Sequence, residues 1–331
     1  MIPASLIDAI AEEGAALSRL AGELGATLSI DPHAILERDI ALSPPGLWSP
    51  NRHCRLIEAA DGWLAINLAR GDDRDAVPAW LQCEMGGDLW DIVVATARRR
   101  RAAALMESAI LLGLPIAAIG EISVSDACVA TQTLSRRKRL GDMTVIDLSA
   151  LWAGPFCGGL LAEAGMAVTK IESPARPDPT ALSTPLHAQR LNGRKRLATM
   201  PLDDPRLFDR LATADLLITS TRAHALARLG LTPEALFARN PSLIWVAITG
   251  YGFEGPQAMR VAFGDDAAAA GGLVRWAAGE PRFLGDALAD PLTGLRAARL
   301  ALDWIARGQS GLIDVALAPT AADFARRADL R

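Results

Sequence analysis

One aspartate stands at a position that offers two kinds of chemistry. Asp290 precedes Pro291 and follows a stretch that begins at Gly285. An aspartate directly before a proline at the start of a helix is an ordinary N-cap, whose carboxylate accepts backbone N–H groups. A carboxylate in that place is also kept ionised by the helix dipole, and an ionised carboxylate can act as a nucleophile. The local sequence favours the cap but is compatible with both roles.

The residues after Asp290 predict the helix that must position it. Their apolar members recur every three or four residues, which is the spacing of one buried helix face. They are Leu292, Leu295, Ala298, Leu302 and Ile305. The rest of the chain must decide between the cap and the nucleophile.

Apolar runs alternate with helical patterns in the second half of the chain. Strands are predicted at 144–148, 168–172, 215–220 and 243–249, and a helix at 155–164. Such alternation specifies a parallel sheet covered on both faces, because parallel strands require crossover connections. We therefore predict an α/β fold, with a Rossmann-like parallel sheet domain over residues 141–331.

The first half of the chain predicts a second, smaller α+β domain over residues 1–140. Its predicted elements are an amphipathic helix at 3–25, a strand at 62–68, helices at 75–83 and 88–112, and a strand at 114–122. A polar stretch over 123–141 is typical of a linker, and we place the domain boundary there.

Composition excludes several classes of protein. The 331 residues include 34 basic and 38 acidic side chains, with a net charge of −4, and the basic run Arg98–Arg101 lacks aromatic neighbours, so no nucleic-acid partner is predicted. The most apolar stretch, 102–122, is interrupted by Glu107 and Pro115, so no membrane span is predicted. Four cysteines without metal-ligand spacing, and no signal sequence, predict a cytoplasmic protein.

Basic residues in the second half predict a local anion site. The turn at 153–159 carries glycines but matches neither the dinucleotide fingerprint nor the Walker loop, which disfavours an NAD enzyme and a P-loop NTPase. His187 and His224 are isolated, so no metal site is predicted. The basic residues near strand ends and turns, where α/β folds bind ligands, are Arg190, Arg194, Lys195, Arg196, Arg222, Arg228 and Arg260. The residues by themselves indicate an α/β protein with a site for a phosphate-rich ligand.

Several separated segments together resemble the family III CoA-transferases, the group of formyl-CoA, carnitine and bile-acid CoA-transferases and acyl-CoA racemases. The resemblance covers essentially all of residues 143–318 and follows the family's order. The matching segments are 145–155, 160–172, 192–196, 214–218, 229–231, 239–244, 249–252 and 285–294. The last of these carries the family's catalytic aspartate, which falls on Asp290.

The resemblance implies a CoA-transferase that moves CoA from an acyl-CoA to a carboxylic acid. Asp290 would form an acyl-aspartyl anhydride and then an aspartyl-CoA thioester, with no prosthetic group. The turn Trp152, Ala153 and Gly154 would lie along CoA, and Ser220 takes a position where some relatives have Asn. Arg228 and Arg260 would lie near the phosphates. Relatives form dimers with interlocked chains, so the resemblance also implies a homodimer.

Three departures from the family pattern keep alternatives open. The turn at 262–267 has no histidine where the racemases use a His/Asp pair, which disfavours an acyl-CoA racemase or isomerase; Asp265 and Asp266 are instead predicted to cap the next helix. The segments at 61–66 and 113–118 are similar to the family's small domain but precede the catalytic residue, as in a permutation. A glycine loop over Asp290 has only Gly86-Gly87 as a candidate, so a catalytically inactive CoA-binding subunit is the third alternative.

Overall fold

A seven-stranded sheet forms the centre of the larger part of the protein. The structure, a computed structural model, describes residues 2–84, 86–122, 129–133 and 139–330, and only the backbone of 129–133. The strands are β1 (Cys54–Ala59), β2 (Gly62–Asn67), β3 (Ile116–Ala118), β4 (Val129–Thr133), β5 (Thr144–Asp147), β6 (Ala167–Glu172), β7 (Arg196–Thr199), β8 (Leu216–Thr219), β9 (Ile244–Thr249), β10 (Val274–Ala277), β11 (Glu280–Phe283) and β12 (Gln309–Ala316).

The strand order of the large sheet is β4-β12-β9-β8-β5-β6-β7. Six of these strands are parallel, and β4 is antiparallel to β12 at one edge. The four strands predicted in this half are all present, each within two residues of its predicted ends. Their near-continuous burial explains why the sequence revealed them, since a parallel strand covered on both faces is apolar throughout.

Helices cover both faces of this sheet and surround the smaller one. The helices are α1 (Ala4–Glu23), α2 (Gly71–Asp75), α3 (Val77–Leu81), α4 (Leu89–Ala97), α5 (Ala102–Leu111), α6 (Ala153–Glu163), α7 (Thr180–Ser183), α8 (Pro185–Asn192), α9 (Pro205–Leu211), α10 (Ala223–Arg228), α11 (Pro233–Arg239), α12 (Gly264–Ala270), α13 (Ala289–Arg307) and α14 (Leu317–Arg327), with single 3-10 turns at Ala34–Leu36 and Leu140–Asp142. The predicted α/β class is confirmed.

Helix α13 contributes more buried residues to the large core than any other described helix. The apolar residues predicted for its buried face are all buried, in one cluster with α1, α6 and α14. On the opposite face of the sheet, a second cluster includes residues of α9, α10 and α11. Because α13 is fixed along its length, the side chains of its first turn are held in place relative to the sheet.

The smaller sheet, of order β1-β2-β3, packs against α3, α4 and α5. The sequence assigned all of residues 1–140 to this part, but α1 packs on α13 and β4 pairs with β12 in the large sheet. The helix predicted at 88–112 is two helices, α4 and α5, separated by Arg98–Arg101. Most of the predicted linker lies outside the described residues, and the boundary near 140 stays a prediction.

Of the helices in the described residues, none is both long enough and apolar enough to cross a membrane.

Candidate active site

The direction in which the chain adds strands to the large sheet reverses between β5 and β8. From β5 the chain continues through β6 and β7 on one side and then returns to β8 on the other. In open α/β sheets a ligand binds in the crevice at such a switch point, outside the carboxyl ends of the strands. At this point the hydroxyl of Ser220 accepts the backbone N–H of Ala150 at 3.0 Å, which joins the loops that follow the two strands.

A buried ion-pair network fixes the turn between β5 and α6. Lys195 Nζ donates to Asp147 Oδ2 at 2.8 Å, and neither side chain is exposed. The other carboxylate oxygen of Asp147 accepts the N–H and hydroxyl of Ser149. Lys170 Nζ donates to the carbonyl oxygen of Ser149 at 2.7 Å and to Asp178 Oδ2 at 3.1 Å. Burial raises the pKa of Asp147, but the charges of Lys195 and Lys170 outweigh it and hold the pKa below its ordinary value.

Helix α13 crosses the start of α6 at very short range. A Cβ placed on Gly294 would lie 2.5 Å from the carbonyl oxygen of Ala153, so only glycine fits at this crossing. Trp152, directly before α6, is buried in a small cluster with Leu191 and Ala287. The predicted CoA turn 152–154 therefore lies against the first part of α13.

The prediction that Asp290 is an N-cap is wrong. Helix α13 begins at Ala289, and Leu288 occupies the N-cap position without a side-chain cap. Ala287 has φ of 46°, in the left-handed region, and its carbonyl oxygen accepts the N–H of Asp290 at 2.9 Å. This turn starts the helix before the Asp-Pro pair, so Asp290 lies inside the first turn and its carboxylate is not used to cap its own helix.

The carboxylate of Asp290 lies against the backbone of Gly264 instead. Burial and the nearby charge of Asp265 raise the pKa of Asp290 to about 7, while Arg38 and the N–H of Gly264 act in the opposite direction. A carboxylic acid whose pKa is close to neutral is ionised in a substantial fraction of molecules at pH 7 and is less strongly solvated than a surface carboxylate. Such a carboxylate is available to act as a nucleophile.

A substitution at Gly264 tests whether the close approach of its backbone to the Asp290 carboxylate is important. A Cβ at residue 264 would overlap Asp290 Oδ2 and would lie 2.5 Å from the carbonyl oxygen of Ala287. We expect Gly264→Ala to displace the Asp290 carboxylate and to lower the rate of any reaction that uses this carboxylate by about 10²-fold. The matched control is Gly141→Ala, where a Cβ meets nothing within 4 Å and activity should be unchanged. Equal activity of the two variants would show that the contact is unimportant.

The carboxyl groups of Asp265 and Asp286 lie near Asp290, and the side-chain amide of Asn51 joins them. Asn51 Nδ2 donates to Asp265 Oδ2 at 2.7 Å and to Asp286 Oδ1 at 2.6 Å. Asp265 Oδ1 accepts the N–H of Ala287 at 2.7 Å. Burial, and then the charge of Asp286, raise the pKa of Asp265 to about 6. Both oxygens of Asp265 therefore hold the turn before α13 in place.

The expectation that Asp265 and Asp266 cap the next helix is half right. Helix α12 begins at Gly264, and Asp266 Oδ1 accepts the N–H of the N-cap residue Phe263 at 3.0 Å. Asp265 faces the turn before α13 instead. Its partner Asn51 lies more than 200 residues away in the chain, so no local pattern indicates the contact.

Arg38, like Asn51, was not predicted from the sequence to lie at this site. Its Nε lies 2.7 Å from Asp286 Oδ2, and its guanidinium carbon lies 5.5 Å from the ring centroid of Trp152. His187, which the sequence showed as isolated, packs edge-on against the same Trp152 at 4.6 Å between centroids. Arg38 lies in a segment without periodic pattern, and nothing in the sequence indicates that it reaches Asp290.

Comparison with known proteins identifies the family. Residues 140–327, more than half of the chain, match the family model described as CoA-transferase family III. The chain belongs to CoA-transferase family III. The matched range includes Asp290 and the switch point of the sheet, whereas Arg38 and Asn51 lie outside it.

The family III relatives and structures cover only part of this chain. The succinyl-CoA–L-malate CoA-transferase beta subunit of Chloroflexus aurantiacus is 36% identical over 172 residues, 47% of this chain and 42% of that protein. The succinate–glutarate CoA-transferase of Agrobacterium fabrum is 32% identical over 185 residues, which are 50% of this chain and 46% of that protein. The structure of a CAIB/BAIF family protein from Brucella suis matches with 30% identity and a TM-score of 0.52, over 57% of this chain and 56% of that chain. The chain spans less than half the length of these curated relatives.

The residues predicted to contact CoA from the family resemblance fall into two groups. Trp152, Ala153, Gly154 and Ser220 lie at or beside the switch point, and Arg228 is exposed at the end of α10. Arg260 is buried, and its contacts are internal.

The contacts of Arg260 leave little room for a phosphate. Its guanidinium donates to Glu121 Oε1 at 2.6 Å, to the carbonyl oxygen of Ile116 at 2.9 Å and to Gln257 Oε1 at 2.7 Å. It also stacks over the ring of Tyr251 at 3.7 Å from the centroid. These contacts join the smaller sheet to the segment after β9, so we assign Arg260 a structural role and do not include it in the proposed CoA site.

The described part of the chain contains no group of three or more His, Cys, Asp or Glu side chains that could hold a metal ion.

Proposed function

We propose that this protein is a CoA-transferase in which the carboxylate of Asp290 is the nucleophile. The observation that carries the proposal is the position of Asp290, in the first turn of α13, where it has a pKa of about 7. Gly294, one turn further along α13, contacts the turn that begins α6 at the switch point of the sheet. A thioester bound along that turn would have its carbonyl carbon beside Asp290.

The proposed exchange occurs by covalent catalysis in balanced steps. An oxygen of Asp290 attacks the thioester carbon of the donor, the C–S bond breaks, and CoA leaves as a thiolate, which produces an anhydride. The thiolate attacks Cγ of Asp290, the donor acid leaves as a carboxylate, and an aspartyl-CoA thioester remains. The acceptor carboxylate reverses both steps. No proton is gained or lost, and no ATP is consumed.

The phosphates of CoA would lie near a group of arginines beside the switch point. Burial lowers the pKa of Arg222, and the charges of Arg70 and Arg176 lower it further, which places three cations close together. Arg222 follows β8 and Arg176 follows β6, both at the carboxyl edge of the sheet. Guanidinium forks bind phosphate oxygens in a defined geometry. We propose Arg222 and Arg176 for this role, together with Arg228.

In the racemase alternative a second acid or base works with Asp290, but the turn at 262–267, where the racemases carry a histidine, has none. Asp265 is the nearest candidate, but both of its oxygens already accept hydrogen bonds, from Asn51 and from Ala287. A group that moves the α-proton of an acyl-CoA must reach that proton itself. Transfer is therefore the better-supported chemistry, and the homodimer implied by the family stays a prediction.

The experiment that tests the function uses the substrates in the relatives' names. We expect succinyl-CoA, incubated with L-malate or glutarate, to yield a new acyl-CoA and free succinate in equal amounts, measured by liquid chromatography and mass spectrometry. Deuterium uptake at the α-carbon of a chiral acyl-CoA without acceptor would favour the racemase. CoA binding without either reaction, across a wider panel of acyl-CoA donors, would favour the inactive subunit.

The pH profile should report the ionisation of Asp290. Because the ionised form attacks the thioester and its pKa is about 7, kcat/KM should fall as the pH decreases below 7. The charge of Asp265 is one cause of the raised pKa, so Asp265→Asn should move this decline to lower pH. Rates measured from pH 5 to pH 9 for both proteins test this, and a shift to higher pH would contradict it.

A further inference from the structure

An irregular segment of the N-terminal half crosses the candidate active site. We call residues 31–53 the strap. Arg190 of α8 pairs with Asp39 of the strap at 2.5 Å, and the carbonyl oxygen of Gly46 accepts the N–H of Phe283 at 2.9 Å. The strap lies outside the family-matched range, and these contacts attach it to α8 and to β11. It therefore brings to Asp290 side chains that belong to this chain's own N-terminal half.

Arg38 is a strap residue with unused hydrogen-bonding groups. Its Nε is close to Asp286 but is not directed for a hydrogen bond, and among the described residues neither of its Nη groups has an acceptor. The side chain retains 20% exposure. Its charge acts on Asp290, whose pKa it lowers. Arg38 thus presents unoccupied donors beside the nucleophile.

His187 adds a second unsatisfied group at the same place. It is 2% exposed, and neither ring nitrogen has a hydrogen-bond partner. Burial, with the charges of Arg190 and Arg38, lowers its pKa to about 4, so the ring is neutral and one nitrogen can donate. Buried polar groups without partners are costly, and a ligand with acceptor oxygens would supply the missing partners.

The charge of this site changes during the proposed reaction. In the free enzyme Arg38 pairs with Asp286 and its charge acts on Asp265 and Asp290, and these three carboxyl groups oppose the binding of another anion to the extent that they are ionised. When Asp290 becomes a CoA thioester it is neutral, so one negative charge is removed beside Arg38. The site then suits a carboxylate better than before, which places acceptor binding after donor binding.

We propose that Arg38, with His187 beside it, binds the carboxylate of the acceptor acid. This assignment rests on the proposed function and adds the residue that receives the second substrate. The guanidinium holds the carboxylate while one of its oxygens attacks Cγ of the Asp290–CoA thioester. That C–O bond forms, the C–S bond breaks, and the CoA thiolate then attacks the acceptor carbonyl carbon to restore the Asp290 carboxylate.

The Asp290→Asn variant allows acceptor binding to be measured without turnover, because its side chain is neutral like the acylated residue. We expect isothermal titration calorimetry to detect binding of acetate, succinate or glutarate to this variant. Adding Arg38→Gln should weaken that binding by about tenfold or more. Arg38→Lys, which keeps the charge but loses the planar fork, should weaken it less.

Asp39→Asn in the same background is the matched control. It removes the ion pair between the strap and Arg190, although Arg190 keeps its hydrogen bond to the carbonyl oxygen of Ala34, and it does not change Arg38 itself. If Arg38 acts only by anchoring the strap, Asp39→Asn will weaken binding as much as Arg38→Gln, and the proposal is wrong. It is also wrong if no acid of the panel binds to Asp290→Asn. Failure of the wild-type protein to transfer CoA would count against the proposed function instead, since the titration needs no turnover.

Discussion

Asp290→Asn should abolish CoA transfer and make the folded protein more stable. Removing the nucleophile is expected to lower the transfer rate by at least about 10³-fold. Asparagine keeps an oxygen that can accept the N–H of Gly264, so the first turn of α13 should stay in place. The measurement is the transfer rate with saturating donor and acceptor. Turnover that survives the substitution would contradict the mechanism.

The gain in stability follows from the sign of the pKa shift. The pKa of Asp290 is raised from 3.8 to about 7 in the folded protein, so the folded state binds more protons than the unfolded state between these values. The free energy of unfolding then decreases as the pH rises through this window. Asparagine has no charge to bury, and the variant should gain about 2–4 kcal/mol at pH 8 and nothing below pH 4.

Urea denaturation at pH 8 and at pH 4 measures this difference. The matched control is Asp303→Asn on the same helix, where the side chain pairs with Arg307 near the surface. The control should retain full activity and should show no gain in stability at pH 8. A gain of equal size in the control would mean that the burial of Asp290 is not its cause.

Lys195→Met should produce the largest loss of stability. The substitution removes the cation from a pair in which neither side chain is exposed, and it leaves the Asp147 carboxylate buried without its main partner. Breaking such a pair from one side costs about 3–5 kcal/mol. Lys195 also donates to Asn192 Oδ1 and to the carbonyl oxygen of Pro155, so the start of α6 should loosen.

The double variant Asp147→Asn with Lys195→Met separates the unpaired charge from the lost packing. It should be more stable than Lys195→Met alone, because no charge then remains buried without a partner. Arg206→Met, which removes an exposed ion pair with Asp204, is the surface control and should leave the urea midpoint unchanged. If Lys195→Met behaves like the surface control, the buried network does not stabilise the turn.

The parallel sheet could be predicted because its strands carry their own signal. Strands such as β8 and β9 are buried on both faces, and their apolar residues are continuous in the sequence. The partners of α1 and β4 could not be predicted, since an amphipathic pattern indicates a buried face but not the element that covers it. The prediction placed helix α1 with the smaller domain because of its position in the chain, whereas in the structure α1 packs on α13.

The candidate site was only partly predictable for a related reason. Asp290 was found through the family resemblance, while its local pattern suggested a cap that the structure does not show. Arg38 and Asn51 approach it across more than 200 residues of chain, from a segment without periodicity. The raised pKa of Asp290 arises from burial and from Asp265, and both require the folded protein.

The most direct test of the central claim is the mass of the peptide that contains Asp290 after incubation with an acyl-CoA donor. Hydroxylamine should convert an aspartyl-CoA thioester or an anhydride at Asp290 to a hydroxamate, located by fragmentation of that peptide. The Asp290→Asn variant should show no such product. We predict the hydroxamate at Asp290 alone; transfer activity with an unmodified Asp290, or with the product on another carboxylate, would contradict the claim.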